Sequence, residues 1–341
     1  MKADPKWVDD FCDVFALCGV KAGEACAILS ETQSRPVLVE LAERALARLG
    51  ARWFHLVVPT PRQSAPVPVR STGASDAIGR LEPVVNALAS SGFIVDCTVE
   101  GLQHAVELPQ ILNGGARVLV VSNEHPEILE RTKPRAEDEA TVRYAMRRLR
   151  GVKQMRVTSP AGTELAVRLE SARVGGVWGF TAKPVTLTHW PARLVLAFPA
   201  AGSVNGTLVL APGDVNLTFK RYLADAVRLR IEDDHVVAIE GNSVDADLMR
   251  GYFAAWGDRA AYAVSHVGWG LNRGARWDAM TFYDKADFNG TELRAFAGNF
   301  LYSTGANEVA GRFTLGHFDL PMRGCTVTLD GVAVVTDGVL A

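Results

Sequence analysis

Residues 154–169, QMRVTSPAGTELAVRL, mark the point where the sequence changes character. Two short runs, residues 155–158 and 164–169, flank Ser159-Pro160-Ala161-Gly162, a set of turn-forming residues. This pattern predicts a β-hairpin. Because the rhythm differs on its two sides, we predict two domains, an α/β domain over residues 1–152 and a β-rich metal-binding domain over residues 153–341.

Upstream of the hairpin, short apolar runs alternate with longer segments at helical spacing. The short runs cover residues 25–29, 53–58, 93–97 and 117–121, and the helical patterns cover residues 36–49, 76–90 and 137–149. Such alternation is typical of strand-helix-strand units. It predicts an N-terminal Rossmann-like domain with a parallel sheet. The glycine pairs at 114–115 and 175–176 lack the spacing of a dinucleotide fingerprint or a P-loop, so the α/β pattern does not imply NAD or ATP.

Downstream of the hairpin, the sequence favours strands. Apolar runs cover residues 194–198, 207–210, 226–231, 236–239, 262–266, 313–318 and 326–329, and one helical pattern covers residues 245–256. These runs predict a mainly β (α+β) second domain.

Composition and charge exclude several classes of protein. The chain has 341 residues, a hydrophobic fraction of 48% and a formal net charge of -2, so it lacks the basic excess of nucleic-acid-binding proteins. The basic cluster at residues 143–153 has helical spacing and indicates a solvated helix face. No apolar run is long enough to cross a membrane. Five scattered cysteines and an acidic N-terminal segment without a signal-peptide pattern predict a cytoplasmic protein.

The motif with the clearest chemistry is His317-Phe318-Asp319, with His266 located 51 residues upstream. On a strand, His317 and Asp319 point to the same face because side chains alternate. Two imidazoles and one carboxylate with open positions suit non-haem Fe(II) oxygenases. We expect all three at the ends of strands. The competing interpretation is that each histidine is a buried, hydrogen-bonded polar residue.

Two further histidines are candidates for roles beside this group. His104 follows the third predicted parallel strand, at the end of the sheet where ligands bind in α/β proteins. It would exchange protons with a bound hydroxyl, or it would be an ordinary residue at the start of a helix. His189, before Trp190 and Pro191, would orient a planar ligand or would simply finish a strand.

Three segments taken together resemble one family. They are AGSVNGT at residues 201–207, SHVGWGLN at 265–272 and GHFDLP at 316–321. Their order resembles the bacterial 2,5-dihydroxypyridine 5,6-dioxygenases of nicotinate breakdown, which are relatives of the aminopeptidase T metallopeptidases. In the peptidases, metal-binding glutamates would stand near Ser203 and at the position of His266. Losing these carboxylates removes the groups that would bridge two metal ions.

The resemblance implies Fe(II) held by His266, His317 and Asp319, and catalytic pocket roles for His104 and His189, with His104 the better candidate for accepting a hydroxyl proton. It also implies a hydroxylated pyridine and O2 as substrates, N-formylmaleamate as product and a homo-oligomer. Three alternatives remain at this point: a metallopeptidase of the aminopeptidase T type, a non-catalytic binding protein, and a dioxygenase for another hydroxylated aromatic ring.

Overall fold

The first half of the chain forms a parallel sheet with helices between its strands. In the computed structural model, which describes residues 1–62 and 75–341, the strands follow one another as the sequence predicts. The elements are α1 (Pro5–Leu17), β1 (Ala25–Glu31), α2 (Pro36–Arg48), β2 (Arg52–Val58), α3 (Glu82–Ala89), β3 (Phe93–Asp96), α4 (Leu108–Asn113), β4 (Arg117–Val121), α5 (Pro126–Arg131) and α6 (Ala136–Leu149). Strands β2, β1, β3 and β4 lie in that order and pair in parallel. The prediction of a parallel-sheet α/β domain is confirmed.

Two of these helices show how local sequence sets element boundaries. Helix α1 begins after Asp4, whose carboxylate accepts a hydrogen bond from the backbone N–H of Lys6 at 3.0 Å. The helix predicted from residue 76 begins only at Glu82, so its first turn was wrongly predicted. Gly79 and Arg80 have positive φ angles of 59° and 56°, which a right-handed helix does not allow.

The second half is mainly antiparallel β structure. Its elements are β5 (Gln154–Thr158), β6 (Glu164–Arg168), β7 (Arg173–Val177), β8 (Thr186–Trp190), β9 (Leu194–Phe198), β10 (Val204–Leu210), β11 (Val215–Asn216), β12 (Arg221–Tyr222), β13 (Val227–Glu232), β14 (His235–Glu240), α7 (Val244–Ala255), β15 (Val264–Gly270), α8 (Thr291–Ala295), β16 (Phe300–Asn307), β17 (Arg312–Met322), β18 (Thr326–Leu329), β19 (Val332–Thr336) and β20 (Val339–Leu340). Short 3-10 helices cover Arg259–Tyr262, Trp277–Thr281, Lys285–Asp287 and Glu308–Ala310. The predicted hairpin is β5 and β6.

Most of these strands belong to two further sheets. An eight-stranded sheet has the order β14-β13-β10-β6-β5-β18-β19-β20, and a five-stranded sheet has the order β17-β16-β15-β9-β7. Strand β13 alternates buried and exposed residues, as expected for a sheet with one face in the core. The largest buried cluster contains residues from both sheets and from α7. The predicted mainly β second domain is confirmed.

Two elements cross the boundary that the sequence suggests at residues 152 and 153. Strand β8 belongs to the second half of the sequence but pairs in parallel with β4, so it is the fifth strand of the first sheet. In the other direction, α6 packs Val142, Met146 and Leu149 into the core of the second half. Within the described residues, no helix is both long enough and apolar enough to span a membrane.

Candidate metal centre

Three neighbouring strands of the third sheet bring the predicted metal ligands together. The antiparallel register places His266 on β15 opposite Ser303 on β16, and Asp319 on β17 opposite the same serine. His317 lies two residues before Asp319, so the alternation along β17 directs both side chains to one face. One ligand atom from each of the three residues lies within 4.8 Å of the others. The grouping can hold a metal ion, and metal binding itself stays a prediction.

The three residues lie inside their strands, so the expectation of strand ends was wrong. His266 is the third residue of β15, and the pair on β17 has three residues of strand beyond it. The expectation ended the strand at His266 and took Gly268 and Gly270 as small residues that let backbone approach the site closely. Both glycines belong to β15, where a Cβ atom would collide with the backbone oxygens of neighbouring segments. Glycine inside a strand permits this close approach of backbones.

The carboxylate of Asp319 is buried and held by two donors. Arg294 donates from Nε to Oδ2, and Ser303 donates from its hydroxyl to Oδ1. The Nε2 atom of His317 lies 3.3 Å from Oδ1. Burial alone would raise the pKa of Asp319, but His317 and Arg294 outweigh burial and hold the pKa well below its usual range. Asp319 is therefore ionised and oriented, as a metal ligand must be.

The imidazole of His266 has a free nitrogen in the interior. Its Nδ1 atom is buried and has no hydrogen-bond partner among the described residues. The ring packs against Phe198 and His317, with centroid distances of 5.4 Å and 5.6 Å. Burial lowers the pKa of His266 to about 3, so the ring is neutral at physiological pH. A neutral imidazole with an unmatched nitrogen beside a carboxylate fits a divalent cation.

His104 lies beside this group, on the loop that follows β3. Its ring centroid is 5.9 Å from that of His317. The loop is fixed by buried Asp96, whose carboxylate accepts hydrogen bonds from the backbone N–H groups of Thr98 and Leu102 at 2.9 Å and 2.8 Å. Although part of the His104 side chain is exposed, desolvation by the surrounding protein, followed by the effect of His317, lowers its pKa. The ring is thus neutral at physiological pH.

His189 reaches the same site from the first sheet. It lies in β8 and not in a loop, and its Nδ1 atom is 2.6 Å from the carbonyl oxygen of Pro191. Because a carbonyl only accepts hydrogen bonds, Nδ1 carries the proton and Nε2 keeps a lone pair. Burial lowers the pKa of His189 to about 4, and Arg294 adds to this effect.

A cavity of about 100 Å³ contains all five histidine and aspartate candidates. Three leucines from the third sheet form part of its wall: Leu194, Leu196 and Leu301. The polar wall residues that sequence reasoning missed are Thr98, Glu100, Gln103, Ser122, Asn289, Thr291 and Arg294. None of these stands in a recognisable motif, since they come from separate loops and strands. The predicted acid-base and metal roles remain predictions, whereas their common location is a finding.

Comparison with known proteins places this site in a family. The family model described as 2,5-dihydroxypyridine 5,6-dioxygenase matches residues 6–341. The chain belongs to this family. One member, the 2,5-dihydroxypyridine 5,6-dioxygenase of Pseudomonas putida KT2440, is 34% identical over 330 residues, covering 95% of this chain and 93% of the relative. The resemblance inferred from three short segments is thereby confirmed.

Solved structures agree with this assignment. The structure of the dihydroxypyridine dioxygenase from Pseudomonas putida KT2440 superposes with a TM-score of 0.92 and 32% identity, covering 98% of this chain and 96% of that one. The AmpT protein of Thermus thermophilus superposes with a TM-score of 0.66 over 98% of this chain and 99% of its own, at 14% identity. The second similarity shows a shared fold.

Proposed function

We propose that this member of the family is an Fe(II)-dependent ring-cleaving dioxygenase that converts 2,5-dihydroxypyridine and O2 into N-formylmaleamate. The supporting observation is the convergence of His266, His317 and Asp319 in one cavity. Both oxygen atoms of O2 enter the product, so no other oxidant is needed. We further expect a cytoplasmic location and a homo-oligomer. Light scattering on the purified protein tests the oligomeric state.

The three side chains offer what Fe(II) requires of a protein. His266 and Asp319 present a neutral nitrogen and an ionised oxygen, and His317 adds a second imidazole on the same side of β17. When bound there, Fe(II) would supply a Lewis acid for the ring hydroxyl and a redox partner for O2. Arg294 and Ser303 fix the carboxylate by hydrogen bonds, as outer groups around metal ligands commonly do.

Proton transfer from the substrate would involve His104 and His189, the two cavity histidines that are not proposed as metal ligands. His104 is neutral and close to His317, so its ring would accept the proton of the 5-hydroxyl. The Nδ1–H group of His189 donates a hydrogen bond to the carbonyl oxygen of Pro191, so the lone pair of Nε2 remains available. A second acceptor of this kind would orient a ring hydroxyl or hold its proton.

The cavity walls suit a flat ring. Leu194, Leu196 and Leu301 cover one part of the cavity with aliphatic side chains. Small-molecule sites of this type combine apolar walls with a few placed polar groups. Packing of the ring against the leucines would exclude water from the reacting carbons and would align the hydroxyl with the polar side.

The metallopeptidase alternative lacks structural support. Within residues 1–62 and 75–341, the group of His266, His317 and Asp319 is the one cluster of three or more potential metal ligands. A two-metal peptidase site needs a second set of ligands beside the first. If the protein only binds a ligand and catalyses no reaction, then His266, His317 and Asp319 should have no affinity for Fe(II).

Reconstitution tests the proposal directly. The protein is loaded with Fe(II) without oxygen, and O2 uptake is then measured with 2,5-dihydroxypyridine and with other hydroxylated rings. His266→Ala and Asp319→Ala should each lose iron and O2 uptake, because each removes one of three ligands. His235→Ala, a histidine outside the cavity wall, should retain both. Full O2 uptake by an iron-free His266→Ala protein would contradict the site.

A further inference from the structure

The side-chain amide of Gln103 is an unmatched polar group in the cavity wall. Its Oε1 atom is buried and has no hydrogen-bond partner among the described residues. A buried acceptor without a partner costs free energy that binding of a ligand can recover. The amide therefore points to a ligand group that donates a hydrogen bond.

Three other polar residues of the wall have hydrogen-bond partners. The Thr98 hydroxyl donates to Asp96 at 2.7 Å, and Asn289 donates from Nδ2 to Thr291 at 3.1 Å. Arg294 is engaged with Asp319. Gln103 differs from these three, because its Oε1 atom has no hydrogen-bond partner among the described residues, as is also true of Nδ1 of His266.

The local backbone accommodates this amide. Gly101 has a φ angle of 82°, and a Cβ atom at this position would overlap Oε1 of Gln103 and crowd Val120. The backbone N–H of Gly101 donates to the Thr98 hydroxyl at 3.1 Å. The absence of a Cβ atom at Gly101 leaves the space that the glutamine amide oxygen occupies.

The substrate proposed above has an edge that matches a carboxamide. In its lactam form, 2,5-dihydroxypyridine is a 5-hydroxy-2-pyridone, with a ring N–H donor beside a C2 carbonyl acceptor. A primary amide presents one acceptor and one donor side by side, whichever way it is turned. Two antiparallel hydrogen bonds would join the edges, with Oε1 accepting from the ring N–H and Nε2 donating to the C2 oxygen.

We propose that Gln103 is a specificity-determining residue that selects hydroxylated 2-pyridones over carbocyclic diphenols by pairing with the ring lactam. This proposal rests on the proposed dioxygenase function. It assigns the two ends of the substrate to different groups, since the 5-hydroxyl lies across the ring from the C2 oxygen. The hydroxyl would then face the side of His104 and the group of three, while the lactam faces the amide.

Binding without turnover tests this assignment. The Fe(II)-loaded protein is kept free of oxygen, and dissociation constants are measured for 2,5-dihydroxypyridine and for hydroquinone, which has the same para oxygens but no ring N–H. The native protein should prefer the pyridine ring by tenfold or more. Gln103→Leu should weaken pyridine binding by about tenfold and leave hydroquinone binding unchanged.

Two additional variants make the result specific. Gln103→Glu keeps the size and the acceptor but replaces the donor by a second acceptor, so it should also weaken pyridine binding. Gln110→Leu changes an exposed glutamine of α4 and should alter neither constant. Iron content and thermal unfolding of each variant verify that the site and the fold persist.

The outcomes separate the two proposals. A Gln103→Leu protein that retains the full preference for the pyridine ring overturns the role of Gln103, and so does a native protein that binds hydroquinone equally well. A native protein that binds neither ring and takes up no O2 contradicts the dioxygenase proposal itself. Measurements on the native protein alone would show that failure.

Discussion

Among single residues, the site combines the buried neutral imidazoles of His266 and His189 with the buried negative charge of Asp319. Burial lowers the pKa values of His266 and His189 to about 3 and about 4, so their nitrogens remain unprotonated well below neutral pH. Asp319 remains ionised because His317 and Arg294 overcome the cost of its burial. Protons should therefore compete weakly with a cation at the proposed ligands His266 and Asp319, except under acidic conditions.

A substitution at His104 tests whether metal binding and proton acceptance belong to different residues, as proposed. Replacing it by Phe removes the basic nitrogen but retains an aromatic ring next to His317. We expect unchanged iron content and a decrease in turnover of about 10²- to 10⁴-fold, the usual contribution of a general base. Iron analysis and O2 uptake measure the two effects. Loss of iron in this variant would show that His104 has been assigned to the wrong role.

Among the secondary-structure elements, β16 lies between the two strands that carry the candidate ligands. Gly305 of β16 pairs with His317 of β17 and has a φ angle of 126°. A Cβ atom at Gly305 would collide with the backbone oxygen of Gly316 and would crowd His317. The absence of a side chain therefore lets the two strands approach each other at the site.

Gly305→Ala should consequently destabilise the protein. The positive φ angle and the collision together should lower the free energy of unfolding by about 1–3 kcal/mol. Gly251→Ala is the matched control: Gly251 lies in α7 with open space around it, so alanine should stabilise the helix by about 0.5–1 kcal/mol. Urea unfolding measures both. Equal stability of the native protein and Gly305→Ala would show that this close approach is not needed.

Helix α8 introduces a buried acid next to the site. Glu292 is fully buried, accepts a hydrogen bond from the backbone of Arg276 at 2.9 Å and pairs with Arg131. Burial, the largest effect, raises the pKa of Glu292 to about 7 from its usual 4.5. Since the folded protein then holds this proton more tightly than the unfolded chain, its stabilising effect is complete below pH 4.5 and is lost as the pH rises to 7.

Glu292→Gln should remove this dependence on pH. The free energy of unfolding of the native protein, minus that of the variant, should therefore fall between pH 4.5 and pH 7. Urea titrations of both proteins across this range measure the difference. A difference that stays constant or rises with pH would contradict the assignment of a raised pKa to this residue.

At the scale of the whole molecule, the cavity is assembled from both halves of the chain. The loop after β3 and strand β8 contribute from the first sheet, and β9, β15 and β17 contribute from the third. Strand β8 connects the halves, since it follows the hairpin in sequence but pairs with β4. Its Trp190 is fully buried in the first core, 5.2 Å from the ring of Phe11.

Trp190→Ala tests this connection. Removing the indole leaves a cavity and deprives the backbone oxygen of Leu129 of its donor, so we expect a loss of about 3–5 kcal/mol in the free energy of unfolding. Trp53→Ala, on the edge strand β2 with 37% of Trp53 exposed, should cost clearly less. Denaturant unfolding measures both values. Similar losses for the two variants would argue against a structural role for β8.

Much of the secondary structure could be predicted because it depends on local patterns. Apolar runs predicted the four strands β1 to β4 and several strands of the second half, and the turn at residues 159–162 predicted the hairpin. No run predicted β8 or β16. The His-x-Asp motif predicted two side chains on one face, because the period of a strand is two. The strand ends near the site were wrongly predicted, because the apolar runs at residues 262–266 and 313–318 stop before the ends of β15 and β17.

The two fold classes, the family and the five candidate side chains of the site follow from the amino-acid sequence alone, because spacing and residue type are local properties. Which of these side chains meet depends on the folded chain. The register of β15, β16 and β17 brings His266 to Asp319 across Ser303. The return of β8 to the first sheet adds His189 to the same cavity. Partners such as Arg294, and the unmatched amide of Gln103, became visible only there, because burial and hydrogen bonding depend on segments far apart in the chain.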